Sequence, residues 1–251
     1  MRPLLLAAAL LLLPFLDDSA RSEEILVAAA ASLTDVLKDV GKVYQGKSGN
    51  ELLLTLGASN FLARQIDEGA PADLFFSADL AQIEFLERRG RLEPGMRKNL
   101  LSNQLVLIIP ADSKLRIASP QDLLKSEVRK LALANPAAVP AGVYARKYLN
   151  DQGLWTRVKS KVIAVLDVRA TLASVESGNV EAGFVYKTDA ALSPKVKIVY
   201  EVPLAQGPKI VYPLALVKDS KKPAAARDFA DFLESQVAKA LFKKYGFIVL
   251  E

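Results

Sequence analysis

Short apolar runs alternate along this chain with segments in which apolar residues recur every three or four positions. Short runs bounded by turn residues are typical of strands, and the three-to-four periodicity is typical of helices. The runs predict strands at 25–30, 51–56, 74–77, 105–109, 130–134, 162–165, 183–186 and 212–217. The periodic segments predict helices near 34–46, 60–69, 80–90, 120–126, 141–152, 170–178 and 223–244.

Strand–helix alternation predicts an α/β fold with mainly parallel sheets flanked by helices. The predicted strands are short, and they fit two small sheets better than one wide sheet. In such folds a ligand lies at the carboxyl ends of the strands, so we expect a site in the cleft between the two sheets.

The first residues have the features of a secretory signal peptide. Arg2 precedes an apolar run over 3–13, and the small-residue end Ala20-Arg21-Ser22 follows. We predict a signal peptide at 1–22, cleaved after Ser22. A membrane anchor is the alternative, but the run is shorter than the roughly 20 residues that span a bilayer. No cysteine follows that could carry a lipid, so we expect a soluble periplasmic protein.

The composition excludes several kinds of site. The chain contains no cysteine and no histidine. Disulfides, zinc sites with Cys or His ligands, Cys nucleophiles and Ser-His-Asp triads are therefore impossible. The formal net charge is +5, but the basic residues are scattered among carboxylates, with no basic run beside clustered aromatics. This distribution does not indicate a nucleic-acid partner. The composition favours binding over catalysis.

Four strand-to-helix junctions place free backbone N–H groups at the start of a helix. Helix starts carry unsatisfied donors and the positive end of the helix dipole, so they are natural anion sites. The junctions are Ala31-Ser32-Leu33-Thr34-Asp35, Gly57-Ala58-Ser59-Asn60, 135–142 and 167–172. Taken one at a time, Ser32 and Ser59 are better explained as N-caps, and Gly57 and Gly142 as tight turns. Together the junctions predict a site for one small anion.

Several motifs resemble those of the periplasmic molybdate-binding proteins of ABC uptake systems. The resemblance begins at Ala28-Ala29-Ala30-Ala31-Ser32-Leu33-Thr34 and covers essentially the whole chain after residue 22. Its other motifs are Gly57-Ala58-Ser59, 62–66, 69–79, Val139-Pro140-Ala141-Gly142-Val143-Tyr144-Ala145, Asp167-Val168-Arg169, 185–190 and Lys244-Tyr245-Gly246-Phe247. The resemblance implies a type II periplasmic binding protein with two lobes around a cleft. We place lobe 1 at 23–108 plus 210–251 and lobe 2 at 109–209.

The resemblance also implies the ligand contacts. Ser32 and Ser59 would each donate through hydroxyl and N–H, Ala141 and Val168 through N–H, and Tyr186 through its phenol. These groups would touch the oxygens of molybdate without coordinating the metal. Asn60 stands where the family often has a small residue. The implied partners are the oxyanion, which is molybdate or tungstate, and the membrane permease of an ABC importer. We expect a monomer with no cofactor and no enzymatic activity.

The chemistry of the anion agrees with such a set of donors. Molybdate at neutral pH carries no proton, so it only accepts hydrogen bonds. Donors alone therefore favour molybdate over protonated phosphate, whose O–H needs an acceptor. Sulfate has the same charge and shape, so a binding protein for sulfate or another tetrahedral oxyanion is the alternative. The preference for molybdate rests on the resemblance.

Charged residues near the predicted site admit other roles. Arg64 and Arg169 could contact the anion, although pairing with carboxylates or closing the lobe interface is favoured. The acids Asp73, Asp79, Asp167 and Asp189 could form a metal cluster, but their positions beside strands and helix starts favour capping, and their spacing matches no calcium loop.

An exported enzyme that uses Tyr186 or an Asp as acid or base is a further alternative. It lacks a nucleophile–base pair. The aromatic residues Phe75, Phe76 and Trp155 are predicted to lie in the core.

Overall fold

The structure is a computed structural model that describes residues 22–251. The predicted signal peptide, apart from Ser22, lies outside the described residues. Within 22–251, no helix combines the length and apolar character needed to cross a bilayer.

The first sheet has six strands in the order β11-β4-β10-β3-β1-β2. These strands are β1 Glu24–Ala30, β2 Glu51–Gly57, β3 Leu74–Phe76, β4 Lys98–Ser102, β10 Tyr212–Leu216 and β11 Ile248–Val249. Strand β1 pairs in parallel with β2 and β3, whereas β10 pairs antiparallel with β3 and β4. Strand β11 also pairs antiparallel with β4.

The second sheet has five strands in the order β7-β6-β8-β5-β9. These strands are β5 Leu105–Pro110, β6 Leu131–Ala134, β7 Val162–Val165, β8 Ala182–Tyr186 and β9 Val196–Glu201. Strand β6 pairs in parallel with β7 and β8, and β5 pairs antiparallel with β8 and β9. Strands β6 and β8 are buried along their whole length, because helices cover this sheet.

Helices join the strands in both sheets. They are α1 Thr34–Ser48, α2 Ser59–Asp67, α3 Leu80–Arg88, α4 Pro140–Asp151, α5 Trp155–Val158, α6 Val168–Glu176, α7 Lys187–Ala190, α8 Pro223–Phe232 and α9 Gln236–Lys244. A 3-10 turn, Ala31–Leu33, leads from β1 directly into α1. The α/β fold of two sheets with flanking helices is therefore confirmed. The sheets are mixed, where mainly parallel sheets were predicted, because the strands that follow each passage of the chain between the sheets pair antiparallel with their neighbours.

The chain passes between the sheets twice. The first passage lies between β4 and β5, and the second lies between β9 and β10. The predicted lobe boundary at 108 falls inside β5, whereas the boundary at 209–210 falls in the second passage. The antiparallel strands β5 and β10 are the first strands that follow each passage.

Three strands were absent from the prediction. Strand β4 begins with the polar pair Lys98-Asn99, β9 at the edge of its sheet contains Lys197 and ends in Glu201, and β11 has only two residues. None of these strands is an apolar run of four or more residues. These strands pair with strands from distant parts of the chain, and a local sequence pattern does not contain that information.

The helices also differ from the prediction in detail. The predicted helix 223–244 is two helices, because the chain turns after Phe232 and Ser235 caps α9 through the N–H of Ala238. The predicted helix 120–126 is a 3-10 helix, Pro120–Leu124, whose start is held by Ser119. Of the predicted core aromatics, Phe75 and Phe76 are fully buried, and Trp155 is half-buried against the core.

Candidate anion-binding site

Parallel pairing places the predicted junctions side by side. In the first sheet the last residue of β1, Ala30, is in register with the last residue of β2, Gly57. In the second sheet Ala134 at the end of β6 is in register with Val165 at the end of β7. Helix starts that follow these strands therefore lie at one edge of each sheet, where ligands bind in open α/β folds.

Both edges face one small cavity. All five predicted ligand residues line it, together with residues of the same junctions. The lining residues are Ala30, Ala31, Ser32, Gly57, Ala58, Ser59, Ala78, Val139, Pro140, Ala141, Asp167, Val168 and Tyr186. The cavity volume is about 20 Å³. Since about 10–15 Å³ on this scale holds one water molecule, the cavity suits a ligand of few heavy atoms.

The serines of the first sheet do not cap their helices. The N-cap positions belong to Ala30 and Ala58, and no side chain caps either helix start. The Ser59 hydroxyl oxygen instead accepts a hydrogen bond of 3.0 Å from the N–H of Ala78, and the Ser32 hydroxyl lies 3.0 Å from that of Tyr212. The N-cap explanation of Ser32 and Ser59 is therefore wrong.

Two helix starts of the second sheet contribute backbone donors. Helix α4 begins at Pro140 without a side-chain cap, and its first intrahelical bond is donated by Val143. The N–H of Ala141, in the first turn, is thus left to face the cavity. In α6 the carboxylate of the N-cap residue Asp167 accepts a hydrogen bond from the N–H of Ala170. Val168 is the first residue of α6 and lines the cavity, and its N–H takes no part in that hydrogen bond.

Tyr186 ends β8 and brings its phenol to the same cavity. The residue is 1% exposed, and its hydroxyl has no hydrogen-bond partner among the described residues. Burial raises the pKa of the Tyr186 phenol well above its usual value, so the group stays protonated. A buried O–H without a partner is costly, and it is satisfied when a ligand supplies an acceptor.

The positive potential at the cavity comes from helix N-termini and not from cationic side chains. None of its described lining residues is Lys or Arg, and the one carboxylate, Asp167, is engaged by the N-terminus of α6. A negative ligand would therefore be held by N–H and O–H dipoles and by the positive ends of helices.

The sequence matches the bacterial extracellular solute-binding protein family over residues 25–248. The chain belongs to this family. It is 38% identical over 246 residues to the molybdate-binding protein ModA of Haemophilus influenzae, with 96% of each chain covered. Since the family consists of solute-binding proteins, the activity of this chain is binding and not catalysis.

Two solved structures share the fold of this solute-binding protein. The periplasmic molybdate-binding protein of Azotobacter vinelandii has a TM-score of 0.81 and 23% identity, covering 90% of this chain and 100% of that one. The sulfate-binding protein SubI of Mycobacterium tuberculosis has a TM-score of 0.74 and 19% identity, covering 90% and 86%. The fold is thus shared by proteins named for different oxyanions.

The two arginines near the site have different positions in this solute-binding protein. Arg64 is exposed on α2 and is not among the residues that line the cavity. Arg169 lies 2.7 Å from Asp35 at the start of α1 and 2.7 Å from Asp189 on α7. The ion pair with Asp35 therefore joins helices of the two sheets, as predicted, whereas the pair with Asp189 lies beside the second sheet.

The four acids do not gather into a metal cluster. Among the described residues, no group of three or more carboxylates has the geometry to hold a metal ion. Asp79 and Asp167 cap α3 and α6, and Asp73 accepts from the N–H of Leu26 and the hydroxyl of Ser220. The capping interpretation is confirmed for Asp79 and Asp167.

Asp189 is expected to make folding stability pH-dependent. Its side chain is 0% exposed, and burial raises the pKa of its carboxyl to about 7, against the lowering effect of Arg169. An unfolded Asp has a pKa near 3.9, so the folded protein binds the extra proton between about pH 4 and pH 7. Stability contributed by this group is therefore present below pH 4 and is lost as the pH rises through 7.

The comparison of wild type with Asp189→Asn isolates this contribution. From pH 4 to pH 7, the free energy of unfolding of the wild type should fall relative to that of the variant by about 2–4 kcal/mol. Urea unfolding of the anion-free proteins across this range measures the difference. Two curves that stay parallel with pH would show that Asp189 is not buried as an acid of raised pKa.

Three residues near the cavity were not predicted to take part in the site. Tyr212 and Asn103 stand behind Ser32, and Tyr144 on α4 donates to the carbonyl of Ala78 at 3.4 Å, across the cleft. These contacts join residues 66 to 180 positions apart in the chain. Local motifs carry no information about such pairs.

Gly142 has a different role from the tight turn considered in the sequence analysis. It lies in the first turn of α4, where a Cβ would stand 1.8 Å from the carbonyl oxygen of Ala134 at the end of β6. The glycine thus lets α4 approach β6 closely and sets the position of the Ala141 N–H. Asn60 follows Ser59 but is not among the residues that line the cavity.

Proposed function

We propose that this protein captures molybdate and delivers it to the membrane permease of an ABC importer. The observation that carries the proposal is the set of donors from both sheets that faces one small cavity, including the unpartnered Tyr186 hydroxyl. The 38% identity to a molybdate-binding protein over nearly the whole chain supports the choice of anion.

The proposed contacts are donors only. Ser32 and Ser59 donate through hydroxyl and N–H, Ala141 and Val168 through N–H, and Tyr186 through its phenol. The Ser59 oxygen already accepts from Ala78, which leaves its proton for the anion. An anion without protons is favoured by such a site, because it accepts every bond and requires no acceptor in return. Molybdate is bound as an intact anion and is cargo, with no cofactor involved.

The proposed mechanism is closure of two lobes around the anion. Each sheet contributes part of the donor set, so the anion stabilises the arrangement in which both edges meet. Contacts across the cleft support this mechanism: Arg169 reaches Asp35, and Tyr144 reaches the carbonyl of Ala78. The loaded, closed form then docks on the permease.

The proposal also covers a second anion, the cellular location and the oligomeric state. Tungstate has the same charge and shape as molybdate and is expected to bind in the same way. The predicted signal peptide at 1–22 supports a periplasmic location, in keeping with a family described as extracellular. We expect the protein to act as a monomer.

Sulfate is the second candidate ligand. A sulfate-binding protein shares the fold, and the donor set of the cavity suits any unprotonated tetrahedral dianion. Sulfate differs from molybdate in its shorter bonds, so the size of the closed cavity decides between the two anions.

A panel of anions tests the proposal. Melting of the protein is followed with millimolar molybdate, tungstate, sulfate or hydrogen phosphate, with chloride as the baseline. A ligand at a thousand times its Kd stabilises by about 4 kcal/mol, or about 8–16 °C in a chain of this size. We expect such shifts with molybdate and tungstate alone. A shift with sulfate and none with molybdate would select the second candidate, and no shift with any oxyanion would refute both.

Replacing Tyr186 with phenylalanine should separate binding from folding. The variant loses one donor to a charged ligand, about 1.5–3 kcal/mol, so the Kd for molybdate should rise about 10–100-fold. The hydroxyl has no partner among the described residues, so the melting temperature of the anion-free protein should stay level or rise. Calorimetric titration measures the Kd, and thermal melting measures the stability of the anion-free protein. An unchanged Kd would remove Tyr186 from the site.

A further inference from the structure

A chain of buried hydrogen bonds lies behind Ser32. The Ser32 hydroxyl is 3.0 Å from that of Tyr212, and the Asn103 side-chain amide donates to Tyr212 at 3.3 Å and to Thr188 at 2.8 Å. All four residues are buried. Asn103 lies where the chain first passes between the sheets, and Thr188 lies on α7 beside the second sheet.

The direction of each hydrogen bond in this network follows from the chemistry of its donor and acceptor. The Asn103 oxygen accepts from the N–H of Gln104 at 2.9 Å, which fixes the amide with its nitrogen toward Tyr212 and Thr188. An amide nitrogen donates and does not accept. The Tyr212 oxygen therefore accepts from Asn103, and the acceptor available to the Tyr212 proton in this network is the Ser32 oxygen.

This direction orients the Ser32 hydroxyl. Because the Ser32 oxygen accepts from Tyr212, its own proton is free to point into the cavity. Ser59 is oriented in an equivalent way by the N–H of Ala78. Burial raises the pKa of Tyr212 well above its usual value, which keeps its proton in place.

We propose that Tyr212 is a positioning residue, held by Asn103, that fixes the Ser32 hydroxyl as a donor to the bound oxyanion. The inference rests on the proposed function, since it requires an oxyanion beside Ser32. Tyr212 does not line the cavity, so its effect on the anion passes through Ser32. The network also joins this contact to the passage between the sheets.

A double-mutant cycle tests this route of action, with sodium molybdate as the probe. Tyr212→Phe should raise the Kd about tenfold. In the Ser32→Ala background the same change should raise it less than twofold, because the group that Tyr212 orients is gone. In the Ser59→Ala background it should again raise the Kd about tenfold, because Ser59 is oriented by a backbone N–H.

Tyr148→Phe is the matched control for loss of a buried phenol. The Tyr148 hydroxyl is 3.0 Å from that of Tyr200, and the residue is outside the lining of the cavity. This variant should bind molybdate with the wild-type Kd, whatever its melting temperature. An equal rise in Kd for Tyr148→Phe and Tyr212→Phe would assign both effects to folding and overturn the inference.

Asn103→Asp provides a second variant that keeps the Tyr212 ring. The added carboxylate accepts the Tyr212 proton in competition with Ser32, so the Kd should rise at least tenfold. An unchanged Kd for both Tyr212→Phe and Asn103→Asp, or an equal effect of Tyr212→Phe in the two serine backgrounds, would overturn the inference. If the wild type binds sulfate and not molybdate, the proposed function is wrong, and the double-mutant cycle is then measured with sulfate. If the wild type binds neither anion, both the proposed function and the inference about Tyr212 are overturned.

Discussion

The Ser32→Ala/Ser59→Ala variant should bind molybdate about 10²–10⁴-fold more weakly than the wild type. Each hydroxyl is a buried donor at the cavity, and a hydrogen bond to a charged ligand contributes about 1.5–3 kcal/mol. The two serines lie on different helix starts and have different hydrogen-bond partners within the protein, so each substitution removes its own contact with the anion. Calorimetric titration with molybdate measures the change.

The fold should survive these two substitutions. Neither serine caps its helix, so alanine removes little from the stability of either helix start. Ser174→Ala is a matched control, since Ser174 lies on α6 and its hydroxyl bonds within the helix to the carbonyl of Ala170. The control should keep the wild-type Kd. A double variant with unchanged affinity for molybdate would place the anion elsewhere.

Gly142→Ala should impair both folding and binding. The new Cβ would lie 1.8 Å from the Ala134 carbonyl oxygen and 2.6 Å from its carbon, and neither backbone atom can rotate away. Helix α4 must move from β6, which costs about 1–3 kcal/mol or more. The movement also carries the Ala141 N–H away from the cavity. We expect a melting temperature lower by several degrees and a Kd for molybdate at least tenfold higher.

Gly46→Ala controls for the substitution itself. Gly46 lies within α1, and a Cβ there meets no atom within 4 Å. Alanine is the better helix former by about 1 kcal/mol, so this variant should be slightly more stable with unchanged affinity. If Gly142→Ala were as stable as the wild type and bound equally well, the close approach of α4 to β6 would have no role in the site.

The sequence was informative where local chemistry determines position. Ser32 and Ser59 follow the ends of parallel strands, and strand register then brings Ala30 and Gly57 together without any further information. The same reasoning located the junctions that hold Ala141 and Val168. The resemblance to the family, and not local chemistry, implied the individual contacts at Ser32, Ser59, Ala141, Val168 and Tyr186, since a local pattern indicates a junction and not the donor within it.

The sequence was uninformative where distant residues meet. Tyr212 lies 180 positions from Ser32, and Arg169 lies 134 positions from Asp35. The polar strand β4 and the edge strand β9 were missed because their pairing depends on the other strands of the sheet. The role of Gly142 was also hidden, because the clash of its missing Cβ is with a strand and not with its own turn.

The central claim is that the cavity between the sheets selects molybdate. The most direct measurement is a calorimetric titration of the wild-type protein with molybdate in a large excess of sulfate. We predict a saturable response at one anion per chain with a micromolar or lower Kd, about −8 kcal/mol or stronger, little changed by sulfate. The absence of heat with molybdate, or its abolition by sulfate, would contradict the account.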